Sequence, residues 1–197
     1  MKTDFNTILK DVIQLLNDSI PKYLTYHNTA HTLYVLEKAV HIAEKEKVSK
    51  TDLKLIKLAV LYHDIGFITS HIEHEKESCK IARKQLKDYG YSKEDIEIIC
   101  GIIMATKIPQ KPDNLLEQIV ADADLEYLAT KHFEPIGELL YKELKHFNSD
   151  LSKTQWLYIQ IDFLSKHVYH TLYCRRYKSF RKLKNLKRLK MKSKSNK

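Results

Sequence analysis

The sequence is poor in the residues that build tight turns, with 4 Gly and 4 Pro in 197 residues. A sheet-rich fold needs many such turns, so this scarcity argues against one. Cysteine is scarce too: Cys79, Cys100 and Cys174 are odd in number and far apart. That spacing excludes a disulfide framework and a Cys-x-x-Cys zinc site, and reduced thiols are expected. No apolar run is long enough to span a membrane, and charges interrupt the opening MKTDFNTILKDVIQLLNDSI, unlike the apolar stretch of a signal peptide. A cytoplasmic protein is expected. Acid is missing from the C-terminal end, where the last 17 residues, RKLKNLKRLKMKSKSNK, hold nine Lys or Arg. They account for the net charge of +9 and leave 25 basic against 25 acidic residues elsewhere. The tail is expected to be solvated and mobile, with nucleic acid or anionic lipid as its conceivable partners. Leu183, Leu186 and Leu189 keep a near-helical spacing that could dock it on the body.

What the chain has in quantity is Leu, Ile, Lys and Glu, and 43% hydrophobic residues are enough for one core. We read one all-α domain over residues 1–180 and a basic tail over 181–197. Apolar spacing predicts helices over 5–17, 26–46 and, from the cap Thr51, 51–64, with Gly66 marking where the third one ends. Further helices are expected over 74–90, over 92–106 opened by Ser92, and over 115–129, 133–146 and 153–177. Pro109 and Pro112 mark a loop.

Three groups of residues carry chemistry. In Tyr26-His27-Asn28-Thr29-Ala30-His31 the histidines are four apart and are expected on one side of the second helix. Leu33, Leu36, Val40 and Ala43 form that helix's main apolar stripe, and the histidines lie away from it. A surface pair accounts for them as well as a ligand role does. In the second group, His63 shares the apolar direction of Ile56, Ala59 and Val60, and Asp64 follows. Burying an aspartate costs several kcal/mol unless a cation or strong hydrogen bonds compensate. In the third, Asp122, Asp124 and Glu126 interrupt an apolar helix. Capping explains Asp122, whereas Asp124 points among Val120, Leu125 and Leu128.

His31, then His63-Asp64, then Asp124 resembles the H…HD…D ligand order of the HD superfamily of metal-dependent phosphohydrolases. The likeness covers roughly residues 20–130 and implies an HD-domain helical bundle whose C-terminal helices complete it. The Tyr26-His27-Asn28-x-x-His31 segment is similar to the opening motif of cyclic-nucleotide phosphodiesterases. There the first His protonates the leaving oxygen and the second binds metal. His74-Glu75 resembles the pair that HD triphosphohydrolases place beside the substrate phosphates.

The resemblance implies a divalent ion on His31, His63, Asp64 and Asp124. Mn, Fe, Ni or Zn suits that donor set, with Mg a further candidate. His27 would be the general acid, with His74 and Glu75 also catalytic. His71, His167 and Arg175 are weaker candidates for substrate contact, and His71, His74 and Glu75 could instead hold a second ion. The expected activity is hydrolysis of a phosphoester or phosphoanhydride, with a nucleotide or related phosphorylated small metabolite as substrate. Competing readings are a metal-dependent oxygenase and a non-catalytic module binding a nucleotide or nucleic acid. Relatives with two metals add a histidine near the end of GIIMAT, where this chain has Met104, Ala105 and Thr106, which counts against the oxygenase.

Overall fold

Short polar side chains start most of the helices. In the computed structural model, which describes residues 2–195, the side chains of Asp4, Asn28, Ser49, Ser92, Asn114 and Ser152 accept hydrogen bonds from the first free backbone N–H groups of the helices that follow. These helices are α1 (Phe5–Ser19), α2 (Thr29–Lys45), α3 (Lys50–Tyr62), α5 (Lys93–Met104), α6 (Leu115–Asp124) and α8 (Lys153–Lys166). The third helix is thus capped by Ser49, whose Oγ accepts from Asp52 N at 3.0 Å, and not by Thr51. The remaining helices are α4 (His74–Asp88), α7 (Phe133–Phe147), α9 (Leu172–Tyr177) and α10 (Ser179–Ser195). Two 3-10 turns, Ile65–Ile68 and Glu126–Ala129, complete an all-α fold without strands among the described residues.

Two apolar clusters form the interior. The larger joins α1 to α6 around Ile8, Leu16, Ile56, Leu58, Ile99 and Ile103. The smaller gathers Leu125, Leu128, Phe133, Leu164, Leu186 and Leu189 from the Glu126–Ala129 turn, α7, α8 and α10. Tyr34 of α2 packs against both. The metal-ligating residue types lie along the seam between them.

Helix α2 begins at Thr29, so Tyr26 and His27 sit in the turn before it and not on its face. Its buried face is His31, Thr32, Val35, Ala39, Ile42 and Ala43, while Leu33 is 43% exposed. His31 therefore lies on the buried face, which is displaced from the stripe of larger apolar residues. Small alanines let α2 approach α3 and α6 closely, and that proximity decides which side is covered.

Two continuous helices expected from spacing are broken. The 115–129 stretch leaves α-geometry after Asp124, and the 153–177 stretch breaks after Lys166 and resumes at Leu172. Asp122 explains the second break. It caps nothing on its own helix: fully buried in the last turn of α6, it accepts from His170 N at 2.8 Å, Thr171 N at 2.9 Å and Thr171 Oγ1 at 2.7 Å. Burial pushes its pKa up, and these hydrogen bonds oppose that rise. Backbone N–H groups freed by the break satisfy a carboxylate that would otherwise lack partners.

The basic tail is not a loose, solvated end over residues 181–195. It forms most of α10, which buries Leu186 and Leu189 against α8 and the Glu126–Ala129 turn. Asn185 Nδ2 donates to Leu128 O at 2.9 Å and to Thr130 O at 3.1 Å. The last two residues of the expected tail, 196 and 197, lie outside the described ones. Burying a leucine stabilises by about 1.5–3 kcal/mol. Deleting the chain from Arg181 onward should therefore lower Tm by roughly 10 °C or more, given about 2–4 °C per kcal/mol for a chain of this length. An unchanged Tm in a thermal melt would show that α10 contributes nothing to the fold.

Candidate metal centre

Each candidate ligand is set by a local backbone device. Asn28 Oδ1 accepts from Ala30 N at 2.9 Å and His31 N at 3.3 Å, which starts α2 so that His31 turns inward. His63 follows the last residue of α3, and its Nδ1 lies 2.8 Å from Val60 O. With a proton on Nδ1 donated to that carbonyl, the Nε2 lone pair is left for the site. Asp64 comes next, where the chain leaves the helix, so neighbouring side chains can address one point. Asp124 is the last residue of α6.

Ser78 ties the second group to α4, donating to His63 O and accepting from Gly66 N, both at 2.8 Å. Gly66 has a reason beyond ending a helix. A Cβ there would stand 2.0 Å from His74 O and 2.7 Å from Ser78 N, so only glycine lets the Ile65–Ile68 turn meet the start of α4. That contact brings His74 beside Asp64.

The ligand atoms converge. His31 Nε2 lies 3.3 Å from His63 Nε2, 3.3 Å from Asp64 Oδ2 and 3.1 Å from Asp124 Oδ1. His63 Nε2 lies 3.1 Å from Asp64 Oδ2 and 3.8 Å from Asp124 Oδ1. Among the described residues, one group of three or more such side chains converges this closely: His31, His63 and Asp124, whose ligand atoms all lie within 4.8 Å of one another. Asp64 Oδ2 is buried close to both imidazoles yet makes no hydrogen bond. An orphaned carboxylate oxygen facing two imidazole nitrogens fits a divalent cation with mixed nitrogen and oxygen ligands.

Without a cation, protons take its place. Burial disfavours a charged His31, but the Asp124 and Asp64 carboxylates beside it outweigh that and push its pKa up to about 10. His63 is likewise raised by Asp64 against the effect of burial. Asp64 is held below the usual carboxylate range because the imidazoles around it outweigh its own burial.

A second ring of side chains faces these four. His27 Nδ1 is hydrogen-bonded to Glu143 Oε1. Glu143 Oε2 also accepts from Tyr26 N at 2.9 Å and His27 N at 3.0 Å. Glu143 keeps its proton off despite burial because of these bonds. Phe67 packs on two histidines, its centroid 4.3 Å from that of His27 and 4.0 Å from that of His74, whose own rings are 6.1 Å apart. His74 Nε2 lies 3.5 Å from both Asp64 Oδ1 and Glu75 Oε1, and Asp64 raises its pKa against burial.

The site opens into a cavity of about 540 Å³, to which His27, Asp64, His74, Glu75 and Asp124 all contribute. His71 sits exposed at its edge, stacked on Phe147 at 4.2 Å between centroids. Thr106 also lines it, but its hydroxyl donates to Ile103 O at 2.8 Å. Two of the weaker candidates lie elsewhere. His167 lines a neighbouring space that shares Ile108, Leu125, Ile159 and Phe163 with this cavity, and burial with Lys182 close by lowers its pKa to about 3. Arg175 is exposed on α9 and lines no part of the cavity. Sequence reasoning missed Glu143 and Phe67. The one available signal was an acid in register with the apolar Ile136 and Leu140 on α7.

A helical scaffold that converges imidazoles and carboxylates from three separate segments on one buried point has the form of a metal-binding protein. The chain belongs to the HD domain family, whose model matches residues 29–127, half of the chain. HD domains bind divalent metals and make up a superfamily of metal-dependent hydrolases. No curated protein and no solved structure matches the chain. His27 and Glu143 lie outside the matched segment.

Loading with metal should expel protons. Because the pKa of His31 is raised to about 10, the metal-free protein holds that proton across roughly pH 6–9, and affinity should rise with pH by about tenfold per unit for each proton released. Titration calorimetry in buffers of different ionisation enthalpy measures the number. Heats independent of the buffer, with affinity flat in pH, would contradict this protonation.

Proposed function

We propose that the chain is a phosphohydrolase that uses one divalent ion, held by His31, His63, Asp64 and Asp124, to hydrolyse a phosphoester of a small molecule by attack of water. When bound, the ion neutralises phosphoryl charge and activates water. The observation that carries the reading is His27. It lines the same cavity as the ligands, its ring 5.8 Å from that of His31, with its Nδ1 fixed by Glu143 and its ring stacked on Phe67.

Those contacts leave Nε2 to face the reacting groups and donate a proton to the departing oxygen. Glu143 positions the ring, and its bonds to Tyr26 N and His27 N fix the turn that carries it. His74, beside Asp64 and Glu75, suits contact with a phosphoryl oxygen. A general acid matters most when the leaving group is a poor one. An alkoxide needs the proton and a departing phosphate does not, so the arrangement favours an ester over an anhydride.

His27→Ala should keep its metal and lose about 10² to 10⁴ in rate on an alkyl phosphoester. On a nitrophenyl phosphoester, whose leaving group departs without protonation, the loss should be small. His31→Ala should lose metal and all activity together. Equal defects of His27→Ala on the two esters, or loss of metal from that variant, would remove His27 from the acid role.

A further inference from the structure

The cavity beside the candidate ligands has two unlike ends. His27, Asp64, His74 and Asp124 close one of them. Away from these the wall is mostly apolar, with Leu128, Phe133, Leu140, Leu144, Phe163 and Leu164 supplied by the Glu126–Ala129 turn, α7 and α8 and Gln160 as a polar member. A cavity of about 540 Å³ that combines such a wall with polar machinery is shaped for a ligand with an apolar part.

Charge points the same way. Among the described residues, Lys107 is the only Lys or Arg lining the cavity, and its Nζ already faces Glu73 Oε1 at 3.4 Å. Asp64, Glu73, Glu75 and Asp124 line the same space. A nucleoside polyphosphate carries about three or four negative charges, which binding sites meet with several cationic groups. Beyond the divalent ion proposed above, this cavity offers one engaged lysine and the imidazoles of His27, His71 and His74. That suffices for one phosphoryl group attached to a neutral remainder.

The geometry points to a phosphate monoester of an apolar alcohol as the substrate, in place of the nucleotide expected from family resemblance. The phosphoryl group sits at the end where His74 and the aspartates converge, and the hydrocarbon runs along the wall of α7 and α8. This inference rests on the phosphohydrolase reading above. In the reaction the oxygen of water bonds to phosphorus. The bond from phosphorus to the alcohol oxygen breaks, its electron pair stays on that oxygen, and His27 protonates it. A proton released from the attacking water returns to His27 through solvent. The products are the alcohol and inorganic phosphate, with no oxidant and no second substrate.

The test uses the full chain loaded with Mn and the series butyl, hexyl and octyl phosphate, compared with AMP and ATP, each below any micelle-forming concentration. Transfer of a methylene from water into an apolar site predicts that kcat/KM rises by about three- to fourfold per added methylene until the wall is covered. The longer esters should then exceed both nucleotides. Leu140→Asn and Phe163→Ser, each checked for an intact fold by thermal melting, should flatten the rise. A series flat in chain length, or fastest turnover of AMP or ATP, would overturn the substrate assignment and leave the phosphohydrolase reading standing. No turnover of any ester, nitrophenyl phosphate included, would overturn both.

Discussion

Two imidazole nitrogens 3.3 Å apart, with two aspartates against them, form a group that cannot be buried in isolation. His63 is wholly enclosed and Asp64 nearly so, and removing such charges from water without compensation costs several kcal/mol each, on the scale of a whole domain's stability. The group must hold protons, a metal ion, or both in exchange. Raised imidazole pKa values and the orphaned Asp64 Oδ2 are two expressions of that requirement. A divalent cation meets it with ligands already in place.

Much of the surrounding architecture serves to hold those side chains still. The Asn28 cap aims His31, the Val60 carbonyl fixes the tautomer of His63, and Ser78 braces the turn that follows. Gly66 permits a backbone approach that no other residue would allow. Phe67 then serves two histidines at once, packing against the rings of both His27 and His74. The late part of the chain reaches the site through Glu143, which restrains the segment before α2 from 116 residues away. The second apolar cluster supplies the cavity's outer wall, so the packing that seats α10 also shapes the space next to the candidate ligands.

How much of this could be read beforehand follows physical range. His63-Asp64 and Asp124 stand out because polar residues in apolar surroundings are visible within one turn of helix, whereas His31, away from its helix's stripe of larger apolar residues, is picked out only with the other three. Their order along the chain matches a known family pattern. The all-α class follows equally from composition and periodicity. Features set by distant contacts were hidden. The break between α8 and α9 depends on Asp122, 49 residues from Thr171. The buried face of α2 is decided by close approach at Ala39 and Ala43 and not by its largest apolar residues. In the C-terminal helix, Leu186 and Leu189 are diluted among lysines, so net charge suggested a free tail where packing makes a structural element. Glu143 and Phe67 act only through tertiary neighbours, which a local pattern does not display.

The central claim is that one ion is bound by the two imidazoles and the two aspartates together. X-ray absorption at the K-edge of the metal, on protein reconstituted with Zn or Mn, reads those ligands directly. The account predicts a nitrogen and oxygen shell, at about 2.0–2.2 Å for Zn, with the outer-atom scattering of two imidazole rings. One ring should disappear in His63→Ala. A shell of oxygen alone, or two rings persisting in that variant, would place the metal elsewhere and contradict the account.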